Sequence, residues 1–239
     1  MPPPTWILSC NVLDREVRHF LAGQAHVRGC DFFPMGLHDQ PTSLRERLQS
    51  AIDTIEAEKP EIEVIVLVYA LCGQGTRGLG GRRCTLVVPK AHDCMTLYLG
   101  SRERFAACNA ANHGLYWYAP GWQRERRVPG PERRAWLHEQ YSRKFDEDDV
   151  EFLLEQDDQS LAPYNTAAYT DLGVVEVDAF RQHAKDCASF QGWKFQEFPG
   201  DPSLLRDLLA GAWDDQRYLI VPPGKRVGFD TGPDVMRLE

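Results

Sequence analysis

Apolar segments along this chain alternate between short runs and longer amphipathic stretches. That β-α-β rhythm predicts an α/β fold, with a mainly parallel sheet flanked by helices. The first strand is expected at residues 5–10. A helix capped by Asn11 or Asp14 follows to about residue 21, with Val17, Phe20 and Leu21 on one face. A second strand at 30–33 leads through PMGLHDQP into a helix that Thr42 and Ser43 announce and Pro60 ends, with Leu44, Leu48, Ala51, Ile52 and Ile55 as its buried stripe. The next run, EVIVLVYAL, is apolar on both faces, so it belongs in the centre of the sheet. It stops at Cys72.

Beyond Cys72 come the glycine-rich stretch CGQGTRGLGGRR, a strand at 84–88, and PKAHDC opening a short helix through Leu99, with Asp93 or its neighbour placed to cap it. Residues 101–113 read as helix and 115–118 as strand. PGWQRERRVPGPERR is a charged connector with turn chemistry. Two helices are expected at 131–144 and 147–156, then a strand near Val174, a helix at 178–190, a strand at 194–198, a helix at 202–212 and a strand at 218–221. No repeat of fixed period is present. The pattern divides into residues 1–125 as one α/β lobe, 126–160 as a helical connector and 161–239 as a smaller α/β lobe. The expected architecture is two Rossmann-like lobes with a cleft between them that takes a small-molecule ligand. Tyr116, Trp117, Tyr118 and Trp122 are assigned to core or lobe interface.

Length and charge narrow the function classes. A chain of 239 residues can bury a real core. Its formal charge of -8 opposes a nonspecific hold on nucleic acid. The longest apolar run, about residues 64–72, is too short for a bilayer, and MPPPTWILSC lacks the basic flank and cleavage site of a signal peptide. No nucleic acid, no membrane and a cytoplasmic location are the expectations. Seven cysteines, an odd number, fit free thiols or metal thiolates better than a disulfide framework. Cys30, Cys84, Cys108 and Cys187 read as small buried hydrophobes.

Candidate chemistry concentrates in the first half. Gly73, Gly75 and Gly78 match the spacing of a dinucleotide-binding fingerprint after a strand, but the next strand near Cys84 leaves no room for the helix that the fingerprint requires. Two readings stand for this loop. It is either a flexible connection, or a cradle in which exposed N–H groups around Gly73 and Gly75, with Arg77 or Arg82, hold an anionic group. Cys72 and the pair His92 and Cys94 follow neighbouring strand ends, the edge at which open parallel sheets bind ligands. Two thiolates and an imidazole there would supply three ligands to zinc, with water, Cys10 or His38 as the fourth. Three protein ligands plus water is the catalytic arrangement, whereas a closed set of four is structural. The competing reading has His92 and Asp93 capping a helix while the cysteines pack. Cys94 at a helix start could also act as a nucleophile without metal. His38 is read as a surface histidine at the same edge, and the runs RERR and DEDD as solvated faces.

SCN near the start, LHDQP, YALCGQGTRGL, VPKAHDCMTLYLGSRERF and YWYAPGW together resemble the DUF1638 family, over roughly residues 5 to 210 and most densely between Tyr69 and Trp122. The LCG element maps onto Cys72 and Gly73, and the HDC element onto His92, Asp93 and Cys94. Genes of that family often accompany corrinoid-dependent methyltransferase systems, so the resemblance implies a role in one-carbon methyl transfer and a corrinoid protein as partner. No D-x-H-x-x-G element that would offer a lower-face histidine to a corrinoid is present.

Two functions follow as expectations. One is a zinc-dependent enzyme of methyl or other group transfer, the metal acting as a Lewis acid. The other is a non-catalytic metal-binding accessory protein of a corrinoid system. Because the cluster follows strands that a large core already fixes, metal removal is expected to spare the fold.

Overall fold

The computed structural model describes residues 2–174, 176–232 and 234–239. In chain order the elements are β1 (Thr5–Cys10), α1 (Asp14–Leu21), β2 (Val27–Phe33), α2 (Pro41–Glu58), β3 (Val64–Val68), β4 (Thr85–Pro89), α3 (Met95–Leu99), α4 (Arg102–Ala111), β5 (Leu115–Tyr118), α5 (Pro120–Glu125), α6 (Pro131–Ser142), α7 (Glu147–Leu161), β6 (Thr166–Tyr169), α8 (Val177–Gln191), β7 (Lys194–Glu197), α9 (Ser203–Ala210), β8 (Tyr218–Val221), β9 (Val227–Phe229) and β10 (Met236–Leu238). Contacts divide the chain into two compact units, Met1–Phe105 with Gly200–Glu239, and Ala106–Pro199.

The first unit is built on a sheet of order β2-β1-β3-β4-β8. β1, β2, β3 and β4 run parallel, and β8 closes the β4 edge antiparallel, with Leu86 opposite Val221 and Pro89 opposite Tyr218. Every residue of β3 is buried, as a strand apolar on both faces requires when helices cover both sides. α2 starts with Pro41 in its first turn and buries Leu44, Leu48, Ile52 and Ile55, the spacing of a single helix face. β1 is flanked by β2 on one side and β3 on the other. Chain connections therefore leave in opposite directions from β1 and β3, and in open α/β sheets the crevice at such a switch point is the usual ligand position.

The second unit carries the parallel sheet β5-β6-β7. Tyr118, Val128, Ala167, Tyr169, Ala184 and Cys187 form its core, and Leu137, Val150 and Leu154 join α6 to α7. The aromatic stretch is part of this unit's interior: Tyr116 meets Tyr164 edge-on with ring centroids 5.1 Å apart, and Trp117 packs on Phe198 at 5.0 Å.

Several boundaries differ from the sequence expectation. The final segment returns to the first unit, because the buried strand YLIV completes the edge of β4. Residues 126–160 are no connector, since α6 and α7 belong to the second unit. The strand expected near Val174 is Thr166–Tyr169 instead. Its small residues Thr, Ala and Ala hide it from an apolar scan, and the more apolar Gly-Val pair at 173–174 lies in a bend, next to Val175 outside the described residues.

One close approach in the first unit sets a sequence requirement. A Cβ at Gly29 in β2 would overlap the Trp6 ring, which is held by an N–H donated from Trp6 Nε1 to Asp31 Oδ2 at 2.8 Å and by Lys59 Nζ 4.4 Å above its face. Gly29→Ala should therefore displace the indole and lower stability by about 1–2 kcal/mol, the range for overpacking that a side chain can partly relieve. Urea unfolding, followed by tryptophan fluorescence, measures it.

Candidate functional site

The carboxyl ends of four neighbouring strands deliver the chemistry of the first unit to one edge. Cys10 is the last residue of β1, the short 3-10 turn Met35–Asp39 after β2 carries His38, Tyr69 and Cys72 follow β3, and Cys94 follows β4. Ser9 pairs with Val68, so Tyr69 enters the loop level with Cys10. Beyond the strands the β3 and β4 segments stay linked, as Leu71 N donates to Ala91 O at 2.9 Å and Cys72 N donates to His92 O at 3.1 Å.

Cys10 Sγ lies 3.3 Å from His38 Nε2, and the His38 ring stacks on Tyr69 with centroids 5.9 Å apart. Tyr69 is buried, and burial first, then the neighbouring Cys10, Cys72 and Cys94 thiols, push its phenol well above the ordinary range. Burial and then Cys10 do the same to the Cys72 thiol. Cys10, Cys72 and Cys94 are all buried, and all three act electrostatically on this one phenol at the switch point. The Tyr69 hydroxyl has no hydrogen-bond partner among the described residues. An orphaned buried hydroxyl costs about 1–3 kcal/mol.

Backbone geometry adds a second sign of strain at the same place. Cys72, Gly73 and Gln74 adopt φ of 48°, 63° and 69° in succession. Left-handed backbone is routine for Gly73, but for Cys72 and Gln74 it costs of order 1–3 kcal/mol each. The turn is held by Thr76, whose buried hydroxyl donates to Ala70 O at 3.1 Å. Cys94 directly precedes α3, and Asp93 Oδ1 accepts from Met95 N at 2.9 Å, so Asp93 caps that turn as its position suggests. Burial raises the Asp93 carboxyl, against the bonds from Met95 and Thr96 and the charge of His92.

Cys72, Cys94 and Cys10 are thus brought to one edge. The His92 side chain is exposed, and its carbonyl accepts from Cys72 N. The imidazole that meets a thiol is that of His38, a candidate fourth ligand from the sequence, which lies against Cys10. Among the described residues, no three His, Cys, Asp or Glu side chains stand in a metal-holding arrangement. No disulfide links any of the seven cysteines.

The glycine loop is less open than a cradle requires. The N–H groups of Gly75, Arg77, Gly78 and Leu79 donate to carbonyls, and Gly80 N donates to Gln49 Oε1 at 3.2 Å. Glu56 takes three more, accepting from Cys84 N at 2.7 Å and Arg83 N at 2.8 Å on Oε1, and from Arg82 N at 3.1 Å on Oε2. Arg77 is exposed and faces Gln74 and Glu239. Gly73 and Gly75 therefore serve the turn that aims Cys72, and few amides remain for an anion.

Tyr69 carries little signal in the sequence because its residue type blends into an apolar strand. Its signal would have been a hydroxyl in an otherwise apolar run, two positions before LCG. His38 had a signal too, in LHDQP at a strand end.

A family model described as a protein of unknown function, DUF1638, matches residues 32–209. The chain belongs to the DUF1638 family. The matched span includes His38, Tyr69, Cys72 and Cys94 and stops short of Cys10. Comparison with curated proteins and with solved structures found no match. No helix among the described residues is long and apolar enough to cross a membrane.

Proposed function

We propose that this DUF1638 chain is a metal-binding protein, with zinc as its metal, and that Cys10, Cys72 and Cys94 with His38 hold it at the β1/β3 switch point. The observation that carries the reading is the meeting of Cys10 with His38 beside Tyr69, a phenol that Cys72 and Cys94 also approach. Thiolate and imidazole are the donor types zinc prefers, at about 2.0–2.3 Å. Binding would draw in side chains that now stand further apart, and it would favour the thiolate at each cysteine, offsetting the burial that raises Cys72. The strained Cys72 turn and the orphaned Tyr69 hydroxyl fit a ligand-bearing centre.

Such a metal would supply Lewis acidity for group transfer to a thiol or alkoxide acceptor. The chain's own part is to present thiols from a fixed sheet edge, to exclude water by burial and to offer the Tyr69 hydroxyl to a small-molecule ligand. The link to corrinoid-dependent methyl transfer, with a corrinoid protein as partner, rests on the family resemblance. The accessory reading has one observation in its favour: four protein donors would close a tetrahedral zinc.

Metal analysis of protein purified without a metal-binding tag tests the site, and about one zinc per chain is expected. Cobalt substitution then separates the roles. Added thiol or alcohol should shift the visible bands of an enzyme's cobalt centre, and unchanged bands point to the accessory. Metal content near zero in protein reconstituted under reducing conditions would overturn both.

A further inference from the structure

We infer that the second unit holds a separate pocket for a phosphate group on a small molecule. The end of α5, the segment 126–130, the first turn of α6 and one side of α8 enclose a cavity of about 330 Å³, lined by four arginines and His183 against two glutamates.

One of those glutamates is already committed. His183 is clamped between Gln123 Oε1 on Nδ1 and Glu132 Oε2 on Nε2, each at 2.6 Å. Gln123 is thereby oriented, and its Nε2, buried without a hydrogen-bond partner among the described residues, is a donor lacking an acceptor. Arg133 is fixed by Asp157, to which its Nε donates at 3.2 Å alongside a second bond from Nη2. Arg127 lies with its guanidinium 4.6 Å over the Trp136 ring, a cation–π contact. Arg124 and Arg126 line the same cavity and have contacts of their own.

α6 starts at this pocket, with Glu132 and Arg133 of its first turn among the lining residues. Gly130 is held close to Cys187, where a Cβ would overlap the sulfur. Several guanidinium groups and one amide donor at a single pocket suit the several oxygens of a tetrahedral dianion. A chain charge of -8 disfavours a long polyanion, which leaves a small phosphate compound.

Calorimetric titration of the full chain with inorganic phosphate and with glycerol phosphate, at constant ionic strength against chloride, tests this. Saturable binding is expected, with Arg127→Gln about tenfold weaker, the loss of one charge-assisted contact. Gln123→Leu should weaken it too, and an unchanged melting temperature in either variant keeps the result interpretable. Tighter binding of the ester identifies a phosphate monoester as the ligand class, and equal binding identifies free phosphate. No saturable binding, binding that both variants retain in full, or an oligonucleotide displacing phosphate with higher affinity would overturn the proposal.

Discussion

Cys72→Ser is expected to weaken zinc binding by more than about 100-fold while moving the unfolding free energy by no more than about 1 kcal/mol. Loss of a hydrogen-bonding partner outside the ligand shell alone weakens metal sites about 10- to 100-fold, and a neutral hydroxyl in place of a thiolate removes a ligand outright. The fold should tolerate the exchange because the strands that end at Cys10 and Val68 are fixed by a fully buried interior: Ile7, Leu8, Ile65 and Leu67 are all at 0% exposure. Cys72→Gly sharpens the test. Glycine accepts φ near 48° without the strain that Cys72 carries, so apo stability should hold or rise while metal is lost. His38→Ala should weaken binding as Cys72→Ser does, and His92→Ala should leave it unchanged, since the His92 side chain is exposed while its carbonyl accepts from Cys72 N. Competition with a chromophoric chelator measures all four. Equal effects of the two histidine substitutions, or cooperative unfolding of Cys72→Ser on purification, would go against this ligand set.

The strand ends were legible because hydrophobic runs stop where backbone must leave the sheet. EVIVLVYAL predicted the centre of the sheet, and Cys10, Cys72 and Cys94 at its carboxyl edge follow from that placement. His38 and His92 could not be told apart by the same logic. Both follow strands, and which imidazole turns inward depends on whether the loop after it bends over the edge. The short 3-10 turn Met35–Asp39 carries His38 to Cys10, whereas His92 sits where its carbonyl is engaged by Cys72. The second division of the chain was hidden for a different reason. β8 pairs antiparallel with β4 across more than a hundred residues of sequence, and a periodic pattern carries no information on such a long-range partner. The charged run RERR is solvated from Glu125 to Arg127, and the chain turns inward directly after it, where Val128 is core.

Glu56→Ala should lower stability by about 3 kcal/mol at neutral pH, and that loss should fade in acid. One carboxylate on α2 accepts the N–H groups of Arg82, Arg83 and Cys84 together, and hydrogen bonds to a charged group contribute about 1.5–3 kcal/mol each when considered singly. The loop is partly exposed, and three bonds to one group are not additive, so the total is set near the value of one or two. Removal also leaves the lead-in to β4 untethered, along with Arg83, whose guanidinium donates to Ile62 O at 2.5 Å and to Lys59 O at 3.1 Å. Burial pushes the Glu56 carboxyl up, but the bonds from Cys84, Arg83 and Arg82 and the charge of Arg83 outweigh it and hold the group below its ordinary value. A carboxyl depressed in the folded state binds its proton less readily than in the unfolded chain. Its contribution is therefore complete above the unfolded value of about 4.3 and disappears as the pH falls through the lower folded value. Wild type and Glu56→Ala should thus differ most at pH 7 and converge below about pH 4, compared by urea midpoints at each pH. Glu56→Gln retains one acceptor oxygen for Arg83 and Cys84, so it should lose less and show no such convergence. A constant gap between wild type and Glu56→Ala down to acid pH would mean that packing against α2, and not the carboxylate, anchors the loop that carries the chain from Cys72 into β4.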